Sequence, residues 1–320
     1  MYLYNLFVAK PNLPFESLTY SSDVELSRGQ LCMVEIKTTQ YYAVINGESQ
    51  LEPENIKNLK TISKAFEYVL PEEQMEFYIK VGFLTFNSFG NFLNYGVKPF
   101  EILIDKNESL SGLELSAKSS NSSINYNITT NWSNRITDLL YSKANKKILI
   151  ITPEKKLIKK LIEQITQSLS ISLESSNFLI NDLTSTSNKK LSKAYTELFS
   201  QNDQVLVNFS TKNELFTTII NYDLIVIIDE ANPSYISETK VYFDTREVAY
   251  WASQIYGINL EFISTLPSVR FSGFVTDKLD QLKQPNISLK FLERTSRQSD
   301  FSNILTEIED DGVIFGEDLD

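Results

Sequence analysis

The chain has 320 residues, with 42% hydrophobic and 12% aromatic content, which is enough apolar material for about two or three domains with real cores. Its formal net charge of −11 excludes a wholly basic nucleic-acid coat protein, while leaving room for a local basic groove. Histidine is absent and Cys32 is the single cysteine, so Ser-His-Asp and Cys-His catalysis, an intrachain disulfide and a cysteine-cluster zinc site are all excluded.

The first residues, Met1 to Lys10, carry neither a basic leader nor a long apolar core and read as a strand over Tyr2 to Ala9. Two further strands are expected over Leu31 to Ile36 and Tyr41 to Ile45, with turns at Ser27-Arg28-Gly29-Gln30 and Asn46-Gly47. Glu73 to Phe86 reads as a helix with Met75, Ile79 and Phe83 at helical spacing, and a second short helix follows near Ser88 to Tyr95. Residues 1–105 are therefore expected to form a small β-rich domain. Residues 106–134 are dominated by Ser, Asn and Thr and read as a linker.

From Arg135 the pattern changes to alternating helix and apolar strand. Helices are expected over Ile136 to Lys143, Lys155 to Ser168, Leu191 to Phe199 and Arg246 to Tyr256, the last closed by Gly257. Strands are expected over Lys147 to Thr152, Phe178 to Ile180, Val205 to Val207, Leu224 to Ile228 and Leu260 to Ser264. Such alternation predicts an α/β lobe over residues 135–295 with a mostly parallel sheet covered on both faces. Residues 296–320 form an acidic tail, with seven acids and no base in the last 20 positions. No run approaches the roughly 18 apolar residues that a membrane helix needs, so the cytoplasm is the expected compartment and no membrane partner is expected.

Two features carry chemistry. The run Leu224-Ile225-Val226-Ile227-Ile228 ends in Asp229-Glu230, the pattern of a buried strand delivering paired carboxylates to Mg²⁺ beside a nucleotide. It reads equally as a polar strand end. Between Gly112 and Gly257, however, there is no glycine, and a phosphate cradle needs backbone amides that glycine lets approach the ligand. The second feature is a lysine cluster around the first strand of the lobe and its helix. Lys146, Lys147, Lys155, Lys156 and Lys159, against the single Glu154, read either as a phosphate-contacting basic face or as an ordinary solvated helix face.

The order of these pieces resembles the primosomal replication-restart helicases, the primosomal protein N-prime family. The resemblance rests on several blocks. They are Asp229-Glu230-Ala231-Asn232-Pro233-Ser234-Tyr235, Tyr242-Phe243-Asp244-Thr245-Arg246-Glu247-Val248-Ala249, Ser264-Thr265-Leu266-Pro267-Ser268, and Ile148-Leu149-Ile150-Ile151-Thr152-Pro153-Glu154. It implies an N-terminal domain that binds DNA 3′ ends, joined to a RecA-like P-loop-type lobe. Its three pocket segments would be Leu18-Thr19-Tyr20, Val34-Glu35-Ile36-Lys37 and Leu59-Lys60. On that resemblance Leu18, Thr19, Tyr20, Lys37 and Lys60 would contact DNA, with Lys37 and Lys60 on phosphate and Thr19 and Tyr20 on the terminal nucleoside.

The chain departs from the family where ATP would bind. The phosphate-loop position reads Asn127-Ile128-Thr129-Thr130-Asn131-Trp132-Ser133-Asn134. Thr130 and Trp132 stand for glycines, Ser133 for the phosphate lysine and Asn134 for the Mg²⁺-binding threonine. The zinc module and second motor lobe have no counterpart in these 320 residues. The resemblance therefore implies DNA 3′ ends, forks or single strands, with other replication proteins, as partners. It implies no ATP or Mg²⁺ cofactor, with Asp229 and Glu230 as relic carboxylates. Two other readings stay open: a residual ATPase that completes its site with a partner chain, and an interaction scaffold that binds no DNA.

Overall fold

The computed structural model describes residues 1–13, 16–50, 59–105, 122–142, 145–171, 177–200, 203–217, 219–237 and 241–268. The acidic tail, most of the Ser/Asn-rich segment and the end of the expected lobe lie outside the described residues. The protein is mixed α/β, with a mainly antiparallel N-terminal sheet and a later, wholly parallel one, both within the compact unit Met1–Val275.

The first sheet is built from β1 (Tyr2–Val8), β2 (Leu18–Ser22), β3 (Gln30–Ile36), β4 (Thr39–Glu48), β5 (Lys60–Thr61) and β6 (Lys64–Val69), in the order β5-β2-β1-β4-β3-β6. Alternation along β1 sends Tyr4, Leu6 and Val8 into one core with Tyr20, Cys32, Val34 and Ile45. Phe7 points the other way and stacks on Phe89, with ring centroids 4.0 Å apart. The Ser27–Gln30 turn forms as expected. Gly29 takes φ +83° there, and an added Cβ would sit 2.5 Å from the Leu70 carbonyl oxygen. The turn expected at Asn46-Gly47 is instead a bulge inside β4. Asn5 pairs with Gly47 and Leu6 with Ile45, so Asn46 is the extra residue that bends the strand.

Three helices follow: α1 (Glu72–Thr85), α2 (Phe89–Gly96) and α3 (Lys98–Asp105). Pro71 precedes the first turn of α1, and Phe86 ends it in the left-handed conformation. These helices join the two sheets. Gln74 donates to the Thr217 carbonyl at 2.8 Å, and the Tyr78 hydroxyl donates to the Phe216 carbonyl. Phe92 and Phe216 pack with centroids 4.7 Å apart.

The second sheet comprises β7 (Ile124–Ile128), β8 (Lys147–Ile151), β9 (Phe178–Asp182), β10 (Val205–Ser210), β11 (Leu224–Ile228) and β14 (Asn259–Ser264), in the order β7-β14-β11-β8-β10-β9. A short ribbon of β12 (Ile236–Ser237) and β13 (Phe243–Asp244) stands apart. Helices α4 (Trp132–Tyr141) and α5 (Lys155–Ile171) cover one face through Ile136, Leu140, Ile158, Leu161 and Ile165, packed on Ile148, Ile150, Val207 and Val226. Helices α6 (Asn188–Phe199) and α7 (Thr245–Tyr256) take part in covering the other. Strand β7 lies inside the segment expected to be a linker. Its Asn-rich sequence hides it, because an edge strand buries few side chains: here Tyr126 is buried and its neighbours are not. The parallel sheet therefore begins near residue 124 rather than 135. No described helix is long and apolar enough to cross a membrane.

Candidate functional site

The acidic pair sits where parallel sheets present ligands, outside the carboxyl ends of the strands. Asp229 is the first residue past β11 and takes φ +56°, a left-handed conformation that Asp tolerates better than most residues. Its amide donates to the Ile263 carbonyl at 2.7 Å, and its carbonyl accepts from the Asn232 amide at 2.9 Å. The Asn232 side chain returns to Asp229 Oδ2 at 2.9 Å and caps the Pro233–Tyr235 turn through the Ser234 amide. Asp229 is half-buried, with one carboxylate oxygen engaged by Asn232.

Glu230 points into the protein and is completely buried. The Tyr126 hydroxyl donates to Oε2 at 2.8 Å, as does the Ser268 amide at 3.1 Å, and the Ser268 hydroxyl donates to Oε1 at 2.5 Å. Arg246 lies 3.7 Å from Oε1 and donates to the Glu230 carbonyl at 3.1 Å, while gripping Asp244 through two bonds of 2.8 and 2.7 Å. Burial, then the hydrogen bond and charge of Glu230, raise the pKa of Tyr126, so its hydroxyl stays a donor. A carboxylate held by three hydrogen bonds beside an arginine is a structural tie. It is not poised to activate a water.

The loop from Asn127 to Asn134 leaves the same sheet edge, because Ile228, Ile263 and Asn127 lie in one row of the ladder. Two strand spacings, about 10 Å, separate it from β11. Here the loop satisfies itself. The Asn131 side chain caps α4 by accepting from the Asn134 amide at 3.2 Å and the Ser133 hydroxyl at 3.0 Å, and the Asn131 amide donates to Thr129 Oγ1 at 3.1 Å. The Trp132 indole packs against the core under α4 and α5. The Thr129, Asn131 and Asn134 amides are bound within the protein, and no lysine stands in the loop. Among the described residues, no group of three or more acidic or cysteine side chains could hold a metal ion.

No protein-family model matches this chain, and no curated protein matches it. The geometry of its own residues therefore carries the functional reading.

The three N-terminal segments singled out by resemblance do meet. Tyr20 on β2 pairs with Lys60 on β5, and both reach the Glu35 carbonyl near the β3–β4 turn, Tyr20 at 3.0 Å and Lys60 at 3.3 Å. Lys60 also contacts Glu35 Oε1 at 3.1 Å and the Lys37 carbonyl at 3.2 Å. Lys37 is exposed at φ +58° in that turn. Leu18 and Thr19 are half-buried on β2, and the Thr19 hydroxyl donates to Asn5 Oδ1 at 3.0 Å. Tyr20 is 4% exposed, so its ring offers no open face to a base.

The five lysines of the lobe do not share one face. Lys146 and Lys147 lie at the start of β8, and Lys155, Lys156 and Lys159 beyond its end. Five strand residues put about 16 Å between the two groups. Lys147 donates to the Leu198 carbonyl at 2.6 Å, and burial lowers its pKa. Lys146 pairs with Asp203 at 3.6 Å. Lys155, Lys156 and Lys159 are exposed on the first turns of α5.

Sequence reasoning missed two acids. Glu35 neutralises Lys60 in the N-terminal cluster. Glu214, in the 3-10 turn Lys212–Phe216, is buried against Thr217 at 2.5 Å and Tyr195 at 3.3 Å. Burial pushes its carboxyl up to about 7, against the opposing pull of Thr217, Lys98 and Tyr195. Neither acid announces itself in sequence, because Lys60 beside Glu35, and Tyr195 and Lys98 beside Glu214, are remote along the chain.

Proposed function

We propose that this protein binds DNA 3′ ends, forks or single strands in replication or repair, without hydrolysing ATP. On this reading it is a relative of the primosomal replication-restart helicases that keeps one RecA-like lobe, with a closed nucleotide site. The observation that carries the loss of hydrolysis is the fully bonded Glu230 carboxylate. Two findings support the family reading. One strand, β14, lies between the Asp229 strand and the strand that leads into the degenerate loop. The Ser264–Ser268 block also folds back onto Glu230. DNA binding is supported by Lys37 and Lys60, which two separate segments bring together beside β2. Comparing a fork with a recessed 3′ hydroxyl against blunt duplex tests it: preference for the fork is expected, and equal affinities would remove end recognition.

A second reading, an interaction scaffold, is favoured by exposed aromatics at the end of α1, where Phe83 and Phe86 are 81% and 98% exposed. It predicts no DNA binding at any salt concentration.

A further inference from the structure

A polar cavity of about 720 Å³ opens at the carboxyl ends of β8, β10 and β9, away from Asp229 and Glu230. Its position has a topological cause. Helix α5 leaves β8 on one face of the sheet, and the 3-10 turn after β10 leaves on the other, where α2 packs. Neighbouring connections that part to opposite faces open a crevice, and parallel sheets place ligands there. The first residues of α5 and α6, Lys155 and Asn188, both line it, so helices of 17 and 12 residues begin at its wall. Ser187 makes no side-chain cap bond to α6.

The walls specify what could fill the space. Thr184, Ser210, Thr211 and Thr217 bring hydroxyls to walls that also include Leu183 and Leu191, so the lining is mixed, and the Thr184 and Thr217 hydroxyls already donate to Asp182 and Glu214. Lys98 from α3 and Lys155 from α5 bring two ammonium groups to the wall, against the Glu101 carboxylate on α3, so an anion that reaches both lysines is favoured. Tyr95, half-buried at the rim, offers an aromatic edge. Glu214 forms part of the wall while only 6% exposed, with its carboxyl turned to the Thr217 and Tyr195 hydroxyls. The volume lies in the range of small-ligand sites, about 300–1,000 Å³.

We propose that this cavity binds a phosphate monoester carried on a pentose, either a sugar phosphate or a nucleoside monophosphate, with Lys98 and Lys155 on the phosphate and the threonine and serine hydroxyls on the sugar. The ligand bridges α3 of the N-terminal region to α5 and α6 of the parallel sheet. This site uses none of the N-terminal DNA-contact residues, so it stands or falls separately from end binding.

The test is isothermal titration of the full chain at neutral pH with ribose 5-phosphate, adenosine 5′-monophosphate, ribose and inorganic phosphate. Saturable one-to-one binding of at least one ester is expected at sub-millimolar affinity, with ribose and inorganic phosphate each about tenfold weaker. Lys98→Ala and Lys155→Ala each weaken the ester about fivefold or more, whereas Lys193→Ala, on α6 outside the cavity, does not. Tighter binding of the nucleotide than of the sugar phosphate, lost in Tyr95→Ala, assigns the nucleoside form; equal binding assigns the sugar phosphate. No saturation by either ester at roughly 5 mM, inorganic phosphate binding as well as the esters, or lysine variants that bind normally while melting like the wild type would overturn the proposal.

Discussion

Ser268 closes over Glu230, its hydroxyl 2.5 Å from one carboxylate oxygen and its amide 3.1 Å from the other. With Tyr126 and Arg246 on the remaining approaches, Glu230 serves the fold. Glu230→Ala would leave the Tyr126 hydroxyl without its acceptor and the 4%-exposed Arg246 with less compensating charge. The expected loss is about 3 kcal/mol in urea denaturation. Asp229→Asn, which keeps shape and hydrogen-bonding capacity at a half-buried position, is expected to cost below about 1 kcal/mol. A small loss at Glu230 together with ATP turnover abolished by Asp229→Asn would reverse both assignments.

Glu214 gives stability a pH dependence. The groups facing it are Thr217 on its own turn, Lys98 on α3, Tyr195 on α6 and Tyr222. Its folded pKa of about 7 lies above the ordinary 4.5, so between those values the folded chain holds a proton that the unfolded chain has released. Stability from this group is complete below about pH 4.5 and falls as pH rises through 7, by about 3 kcal/mol at most. Glu214→Gln fixes the neutral form. Its melting temperature is expected to gain on the wild type from pH 5 to about pH 7 and to level off above that. Parallel pH profiles for the two proteins would show that Glu214 ionises freely in the fold.

Much of the parallel sheet was legible from sequence. The runs Lys147–Ile151 and Leu224–Ile228 are too apolar and too short for anything but covered strands, and α5 and α7 show clear helical periodicity. What stayed hidden has physical causes. Strand β7 is Asn-rich and at an edge. Asn46-Gly47 serves a bulge as readily as a turn, and only the register with Asn5 and Leu6 decides between them. Lys147 and Lys155 look adjacent, yet a strand carries the chain straight from one to the other across the sheet. The acidic pair was legible as a motif. The direction of its second side chain was not, because Tyr126, Arg246 and Ser268 come from three distant segments.

The joint between the two sheets is tight enough to test with one methyl group. A Cβ on Gly96 would lie 2.0 Å from the Tyr78 hydroxyl oxygen and 2.9 Å from the Phe216 carbonyl oxygen, whose mutual hydrogen bond ties α1 to the turn after β10. Gly96→Ala is therefore expected to destabilise by about 1–3 kcal/mol through overpacking. Both sheets belong to the unit Met1–Val275, so the variant should still unfold in one transition, followed by tyrosine and tryptophan fluorescence. Two separated transitions would mean that the sheets are thermodynamically independent and that this joint contributes little.

Salt dependence separates the two candidate DNA surfaces. Each phosphate neutralised on a single strand contributes about −0.7 to the slope of log K against log salt, and about −0.9 on duplex. Lys37 is exposed, and Lys60 has Glu35 beside it, so Lys37 should neutralise more phosphate charge than Lys60. Lys37→Ala is expected to shallow the slope by close to one phosphate, and Lys60→Ala by clearly less. If the strand also runs over α5, replacing Lys155, Lys156 and Lys159 together should remove about three more phosphates. A slope unmoved by Lys37→Ala but flattened by the triple change would shift the interface from the N-terminal sheet to the start of α5. With both sets intact, a slope near zero would leave neither surface a phosphate to hold.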